Sequence, residues 1–320
     1  MEARRAKSNL IGPQQQRVFG LLAIFLSALS YGAMPLVAHF FFEGGGDPVQ
    51  LAYFRFFFSS LLCAIILPSQ RIPFRLQRHE YMPIGVLGIS YGLVPILLFL
   101  SYAKLDSGVA TILHFSFPLF VMFFCFLFFK DKPGLRALIA AAFCVVGIIF
   151  INLTPQHGHI VSYSSLGAFL AVLSGVANAA YITIFAKMGP ASMPMFKVVF
   201  YMNSIPAILM TPYVMSHYDW NLSLMAWLTG IFMAILCSIF ATLTLQYGIT
   251  KTSPQEASLL STLEPVTSVL LGVFVLHEVL TGNILIGIVA ILMGSLLLAF
   301  QDPKANPSDV EVSVTEQSVK

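Results

Sequence analysis

Ten stretches dominated by apolar residues, parted by short polar interruptions, fill most of the 320-residue chain. They cover approximately residues 17–41, 48–68, 80–102, 107–129, 134–152, 164–187, 194–215, 222–247, 255–277 and 281–300. Each approaches the ~20 residues an α-helix needs to cross roughly 30 Å of hydrocarbon at about 1.5 Å per residue. The pattern predicts an all-α membrane protein with ten transmembrane helices, and connections this short make neighbouring helices antiparallel. Residues 1–16 and 301–320 fall outside the pattern. They are polar, together carry Gly, Pro, Gln and Ser, and lack periodicity, which predicts two disordered tails. The first run follows Arg4, Arg5, Lys7 and Arg17 but stays apolar to about Phe42, longer than the core of a secretory signal, so it reads as a retained helix.

Composition agrees. Apolar residues make up 58% of the chain and charged residues 10%, and the mean hydropathy is +0.85, far from soluble averages. The net charge of +3 sits in short basic stretches between apolar runs, a topology signal rather than a nucleic-acid surface. A cytoplasmic N-terminus puts Arg71, Arg75, Arg78, Lys130, Lys132, Arg136, Lys187, Lys197, Lys251 and the C-terminal tail on one side. Of 17 Lys and Arg residues, 15 then lie inside, Lys104 lies outside and Arg55 lies within a helix. That bias predicts both termini in the cytoplasm of a multi-pass protein of the cell (inner or plasma) membrane. Two sequons, Asn152-Leu153-Thr154 and Asn221-Leu222-Ser223, fall on the outer side, although such triplets also recur by chance. Cys63, Cys125, Cys144 and Cys237 lie inside apolar runs without a CxxC pair and read as packing residues, not as a metal site or a disulfide framework. The triplet His157–His159 reads as a solvated outer loop, and Gly44-Gly45-Gly46 lacks the lysine of a phosphate-binding loop. No metal and no cofactor is expected.

A shift of 147 residues superimposes the two halves. Gly20 meets Gly167, Leu26 meets Leu173, Ser27 meets Ser174 and Ala33 meets Ala180; further on, Ala110 meets Ala257, Leu113 meets Leu260, Pro118 meets Pro265, Ile139 meets Ile286, Asp131 meets Glu278 and Gly147 meets Gly294. The register drifts by one to three residues between these blocks, as small loop-length differences would cause. The repeat is five runs long, so the second copy enters the membrane from the opposite side. Two inverted five-helix units follow, residues 17–155 and 160–300, related by a pseudo-two-fold axis in the membrane plane, an arrangement suited to alternating access.

Two segments carry a family resemblance. ASLLSTLEPVTSVLLGVFVLHEVLT, Ala257–Thr281, resembles the ninth-helix motif of EamA-type members of the drug/metabolite transporter superfamily, and SGVATILHFSFPLFVMFF, Ser107–Phe124, is similar to its first-half counterpart. The likeness extends from about residue 17 to 300. It implies a ten-helix carrier of amino acids or other small metabolites, commonly moving them outward. The first-half counterpart of Glu264 is Phe117, and His114 in the preceding turn departs from the family pattern.

Glu264 is the sharpest chemical signal. An ionisable group at helix centre costs roughly 2.5–3.5 kcal/mol on insertion scales, so it must face a cavity, a partner or protein interior. Ser261 shares its face at i−3, and Pro265 removes a backbone donor. One reading lines a substrate path with this face; the other makes Glu264 a packing element. His114 falls opposite Ser261 in the repeat and is a candidate for substrate contact or, with Glu264, for carrying a coupling proton; the bland reading is a hydrogen-bonded structural histidine. Arg55, in YFRFFF, either snorkels, forms an ion pair or meets a substrate carboxylate. Tyr31 and Asn178 are repeat-equivalent among small residues that let helices approach closely, and Tyr91 is a weaker candidate of the same kind. The expected function is a secondary transporter with a small-molecule substrate and the lipid bilayer as partners, and the oligomeric state is left open. A proton-independent facilitator is the alternative; an intramembrane enzyme lacks converging catalytic groups, and a scaffold lacks an attached effector domain.

Overall fold

A computed structural model of the chain describes residues 12–102, 104, 107–152, 164–275 and 281–299. The expectations for residues 1–11 and 301–320, for His157–His159, for the first sequon and for Glu278 lie outside this range. Among the described residues every regular element is helical. The first half contains α1 (Pro13–Gly32), α2 (Met34–Glu43), α3 (Pro48–Ser69), α4 (Tyr81–Tyr102), α5 (Ser107–His114), α6 (Phe117–Phe129) and α7 (Leu135–Asn152). The second contains α8 (Ser165–Lys187), α9 (Met195–His217), α10 (Leu224–Met233), a π-helical segment (Ala234–Ala241), α11 (Thr242–Lys251), α12 (Pro254–Leu260), α13 (Leu263–Val275) and α14 (Gly282–Ala299). Among the described residues seven stretches are long and apolar enough to cross a bilayer, and Phe117–Phe129, Leu135–Phe150 and Gly282–Leu297 are shorter apolar helices.

Local chemistry sets the helix starts. Asp47 and Ser253 each form a capping box, with Gln50 and Glu256 respectively, and Ser164 and Ser223 cap α8 and α10 through their hydroxyls. Helix α1 begins at Pro13, inside the stretch expected as tail, because proline suits the first turn and three glutamines continue the helix. Gly44–Gly46 forms the turn into α3: Gly45 has φ of +88°, and a Cβ at Gly46 would fall 2.0 Å from the Phe41 ring.

Three runs that hydropathy presents as continuous are broken. The first divides at Ala33, the fourth at Phe115–Ser116 and the ninth at Ser261–Thr262, each just before a proline-bearing helical turn. Proline cannot donate to the preceding turn, and the chain tightens instead: the amides of Ser116 and Glu264 donate to the carbonyls of Leu113 and Ser261 at 3.3 and 3.0 Å.

Packing interleaves the halves. α4 packs on α8, and its repeat counterpart α11 packs on α1; α3 lies on α9, and α7 on α14. Exchanging the halves reproduces this pattern, and individual contacts obey it. A Cβ at Gly147 would lie 2.6 Å from both the Gly287 carbonyl oxygen and Ile291 Cγ1; one at Gly294 would lie 2.8 Å from the Ala140 carbonyl oxygen and 2.9 Å from Cys144 Sγ. Shifting Gly147, Ala140 and Cys144 by 147 residues gives Gly294, Gly287 and Ile291, so the two contacts are one contact seen twice. Numbering rises along α7 as it falls along α14, so these equivalent helices run antiparallel. The same holds for α3 and α9, where the hydroxyls of Tyr53 and Thr211 meet at 3.2 Å and those of Ser60 and Ser204 at 2.6 Å. Small residues permit the close crossing, since association between helices in lipid rests on contact rather than on hydrophobic transfer. Large apolar side chains such as Met82, Leu135, Ile208 and Phe274 are 70–74% exposed, a surface that hydrocarbon, not water, accommodates.

Replacing Gly147 or Gly294 by valine is expected to destabilise the fold by about 1–3 kcal/mol, and by similar amounts at the two positions because the contacts are equivalent. Thermal unfolding in detergent measures this; an unchanged midpoint for either variant contradicts the close crossing.

Candidate functional site

Arg55 lies in the eighth position of α3, 8% exposed, between the buried rings of Phe54 and Phe56. Burial of the stem is favoured by these rings, while the guanidinium requires acceptors. Nε donates to Ser238 Oγ at 3.2 Å, Nη2 to the Tyr91 hydroxyl at 3.1 Å and Nη1 to Met34 Sδ at 3.4 Å. The cation also stands 5.6 Å from the Phe56 ring centroid and 6.0 Å from that of Tyr91. Four elements, α2, α3, α4 and the π-helical segment, thus converge on one side chain. Arg55 neither snorkels nor touches an acid: among the described residues no carboxylate lies within 4.0 Å of it.

Thr242 extends the cluster. Its hydroxyl meets Tyr31 Oη at 2.7 Å and Tyr91 Oη at 3.4 Å, and it donates to the Cys237 carbonyl at 3.2 Å, five residues back along the widened π turn. Insertions of this kind re-aim side chains and recur at functional positions. Here the insertion presents Ser238 to Arg55 and Thr242 to the two tyrosines. Tyr91 also packs edge-on to Tyr181 with ring centroids 5.3 Å apart.

Glu264 occupies the second position of α13, not the middle of a long helix, because the chain breaks immediately before it. A helix N-terminus favours a carboxylate, and Pro265 supports the same start. The Glu264 side chain is partly open and, among the described residues, has no hydrogen-bond partner or ion pair. Ser261 does not share its surroundings: 3% exposed, it turns its hydroxyl back to the Ala257 carbonyl at 3.0 Å. Gly32, next to Tyr31, seats α1 against α13, since a Cβ there would approach Thr267 Cβ at 2.4 Å and the Glu264 carbonyl oxygen at 2.7 Å.

His114 stands apart. It is 8% exposed at the end of α5; Nδ1 lies 2.8 Å from Ser174 Oγ, which itself donates to the Ala171 carbonyl at 2.6 Å. That donation leaves the serine oxygen to accept, so the proton is assigned to Nδ1. Among the described residues His114 makes no hydrogen bond or ion pair with Arg55, Tyr31, Tyr91 or Glu264. Helix α8 connects the two places: Ser174, Asn178 and Tyr181 lie at i, i+4 and i+7 on one face, and Asn178, partly open, has no side-chain hydrogen bond among the described residues. The structure therefore gathers Tyr31, Arg55 and Tyr91 into one network, packs the Glu264 backbone against α1 next to Tyr31, and leaves Asn178 and His114 one and two helical turns along the α8 face.

Comparison with known proteins follows the same two-part layout. The EamA-like transporter family matches residues 18–153 and again residues 165–300. The chain belongs to the EamA-like transporter family. It is thereby a membrane transporter of the drug/metabolite superfamily, not an enzyme, as the resemblance of the Glu-Pro segment implied. It is 25% identical over 253 residues to an uncharacterized transporter of Archaeoglobus fulgidus, covering 78% of this chain and 87% of the other. The threonine/homoserine exporter RhtA of Salmonella typhimurium is 27% identical over 262 residues, 78% of this chain and 83% of its own. Protein PecM of Dickeya dadantii is 27% identical over 237 residues, 73% and 78% respectively. A solved crystal structure superposes with a TM-score of 0.75 at 17% identity over 88% of this chain and 98% of that one, a likeness of fold.

This EamA-like transporter carries site residues that inspection of the apolar runs passes over: Ser238, Thr242, Tyr181 and Met34. Ser238, Thr242 and Gln246 recur every four residues within the eighth run, a polar stripe in an otherwise apolar stretch that would have marked them. Met34 carries no such signal. Replacing Ser174 by alanine leaves the buried His114 ring nitrogen without its partner and is expected to cost about 1–3 kcal/mol of stability. A thermal midpoint equal to that of the parent protein contradicts the pairing.

Proposed function

We propose that this transporter is a secondary carrier of small metabolites such as amino acids, working as an exporter by alternating access between two inverted repeats. The observation that carries the reading is the antiparallel contact of repeat-equivalent helices, α3 with α9 and α7 with α14, which an in-plane two-fold axis generates. Ten crossings, with repeats over 17–155 and 160–300 and both termini cytoplasmic, accord with the distribution of Lys and Arg, since an odd number of crossings per repeat inverts the second copy. Likeness to RhtA supports amino acids as cargo and export as direction. Tyr31, Arg55, Tyr91, Asn178 and Glu264 line the path in this reading, and two of them, Asn178 and Glu264, hold polar groups without a protein partner among the described residues.

Glu264 and His114 are the groups proposed to couple transport to protons. Glu264 is the stronger, being partly open at the start of a helix and without a side-chain hydrogen bond or ion pair among the described residues. His114 has one nitrogen committed to Ser174, which favours a facilitator that does not use the histidine as a relay. Proteoliposome uptake of amino acids under imposed pH gradients decides the matter. Glu264→Gln is expected to abolish the pH dependence of uptake, with a rate loss of about a hundredfold or more, the scale typical of removing a group that transfers a proton. Parent-like rates and pH profiles for both Glu264→Gln and His114→Ala refute proton coupling by these residues.

A further inference from the structure

Between α7 and α14 the surface holds a groove of about 660 Å³, lined by Arg136, Ile139, Phe143, Met293, Leu296 and Leu297. Five of these six are apolar, and Ile139, Met293, Leu296 and Leu297 are exposed on a molecule whose outer face hydrocarbon covers. The groove flanks the glycine crossing, where a Cβ at Gly294 would lie 3.2 Å from Phe143 Cβ. Arg136 is the second residue of α7, and Leu296 and Leu297 stand in the last turn of the antiparallel α14, so these three mark the helix-end side of the groove. Phe143 lies seven residues, roughly 10 Å, farther into α7. Arg136 is exposed and makes no hydrogen bond or ion pair among the described residues. Lys130 and Lys132 precede it in the same connection, and the one acid there, Asp131, is taken up by Lys187 at 2.6 Å. Charge therefore stands at the mouth of the groove with apolar surface behind it. The repeat supplies an internal comparison. The counterpart of Arg136 is Asn283, the second residue of α14, so the crossing carries a cation at one end and a neutral amide at the other. Since the backbone contacts of the crossing are equivalent at its two ends, helix packing does not require the arginine.

We infer that this groove binds an anionic glycerophospholipid from the leaflet on the Lys- and Arg-rich side of the protein, with the lipid phosphate on Arg136 and an acyl chain along Ile139, Phe143 and Met293. A guanidinium offers a phosphate two parallel N–H donors, and basic pockets between transmembrane helices take anionic headgroups for this reason. The apolar walls select the lipid over the free anion: a soluble phosphate reaches Arg136 but leaves the groove behind it uncovered. Net charge selects among lipids, because the choline of a zwitterionic headgroup offsets the phosphate that Arg136, Lys130 and Lys132 attract. The site is separate from the network around Arg55, with which it shares no residue, and the inference requires only that the chain is embedded in a bilayer.

The test is lipid binding by the purified full-length protein in detergent, measured by native mass spectrometry with phosphatidylglycerol and phosphatidylcholine of identical acyl chains and with glycerol phosphate as the headgroup without chains. The parent protein is expected to prefer phosphatidylglycerol by about fivefold or more, the contribution of one cation at the membrane surface, and to bind glycerol phosphate far more weakly. Arg136→Ala removes the preference while leaving phosphatidylcholine binding as it was, Arg136→Lys keeps most of it, and Asn283→Ala at the opposite end of the crossing changes nothing. Ile139→Trp, which fills the groove and leaves the charge in place, weakens retention of phosphatidylglycerol. The exposed positions of Arg136 and Ile139 keep these variants foldable, and a thermal scan without added lipid verifies it. The inference is overturned if the two lipids are retained equally, if the preference survives Arg136→Ala, or if glycerol phosphate binds as tightly as the lipid, which makes the site one for a free anion. It is equally overturned if Ile139→Trp leaves the preference and the affinity intact, which makes the attraction diffuse surface charge, or if the groove is covered by a second copy of the chain, seen as a dimer that Ile139→Trp dissociates and added lipid does not.

Discussion

A guanidinium enclosed by protein, within a molecule whose outer surface belongs to lipid, is the constraint around which the interior is arranged. The Arg55 cation cannot be left among phenylalanines without acceptors, since desolvating a charge costs several kcal/mol even after relaxation. Its three bonds go to residues from α2, α4 and the π-helical segment, all of them neutral. The π turn is what brings Ser238 to Nε while Thr242 reaches Tyr31 and Tyr91, so the irregularity of that helix and the placement of the cation are one feature. Neutral partners hold the group in position without cancelling its charge. That distinguishes it from Lys197, whose contact with Glu80 serves to fasten a loop.

The same interior shows how a broken helix creates chemistry. Glu264 and Phe117 are repeat-equivalent, and both stand at the start of a half-helix behind a break. In the second half that position carries a carboxylate, which the helix N-terminus favours; in the first it carries a buried aromatic ring. His114, immediately before the Phe115–Ser116 break, is tied to α8 through Ser174, and a Cβ at Gly175 would lie 2.7 Å from its carbonyl oxygen. The two halves therefore share backbone architecture and differ in what the shared positions do. One supplies an open carboxylate and the other a closed, hydrogen-bonded contact.

Contacts between repeat-equivalent helices have a different character. At α7 and α14 they are made by glycines and backbone, and at α3 and α9 by hydroxyl pairs, with no charge in either set. Charged contacts lie toward helix ends, as in Arg17 with Glu256 at 2.7 Å and Lys187 with Asp131 at 2.6 Å.

Hydropathy and the 147-residue repeat by themselves determined the class of the molecule, the approximate extent of its helices and the equivalence of its halves, because burial in lipid demands long apolar runs and duplication leaves identities at a fixed spacing. They also singled out Glu264, Arg55, Tyr31 and Tyr91, since polar groups in such runs are costly enough to need a reason. What tertiary structure decided was how those residues are used. Continuous apolar runs conceal the breaks at Ala33, Phe115–Ser116 and Ser261–Thr262, because prolines and small residues near them satisfy a bent helix as well as a straight one. The network of Arg55, Tyr91, Thr242 and Tyr31 spans up to 211 residues of sequence and depends on a π turn with no composition of its own. Proximity of that kind is a product of packing four helices together, and no periodicity along one chain encodes it.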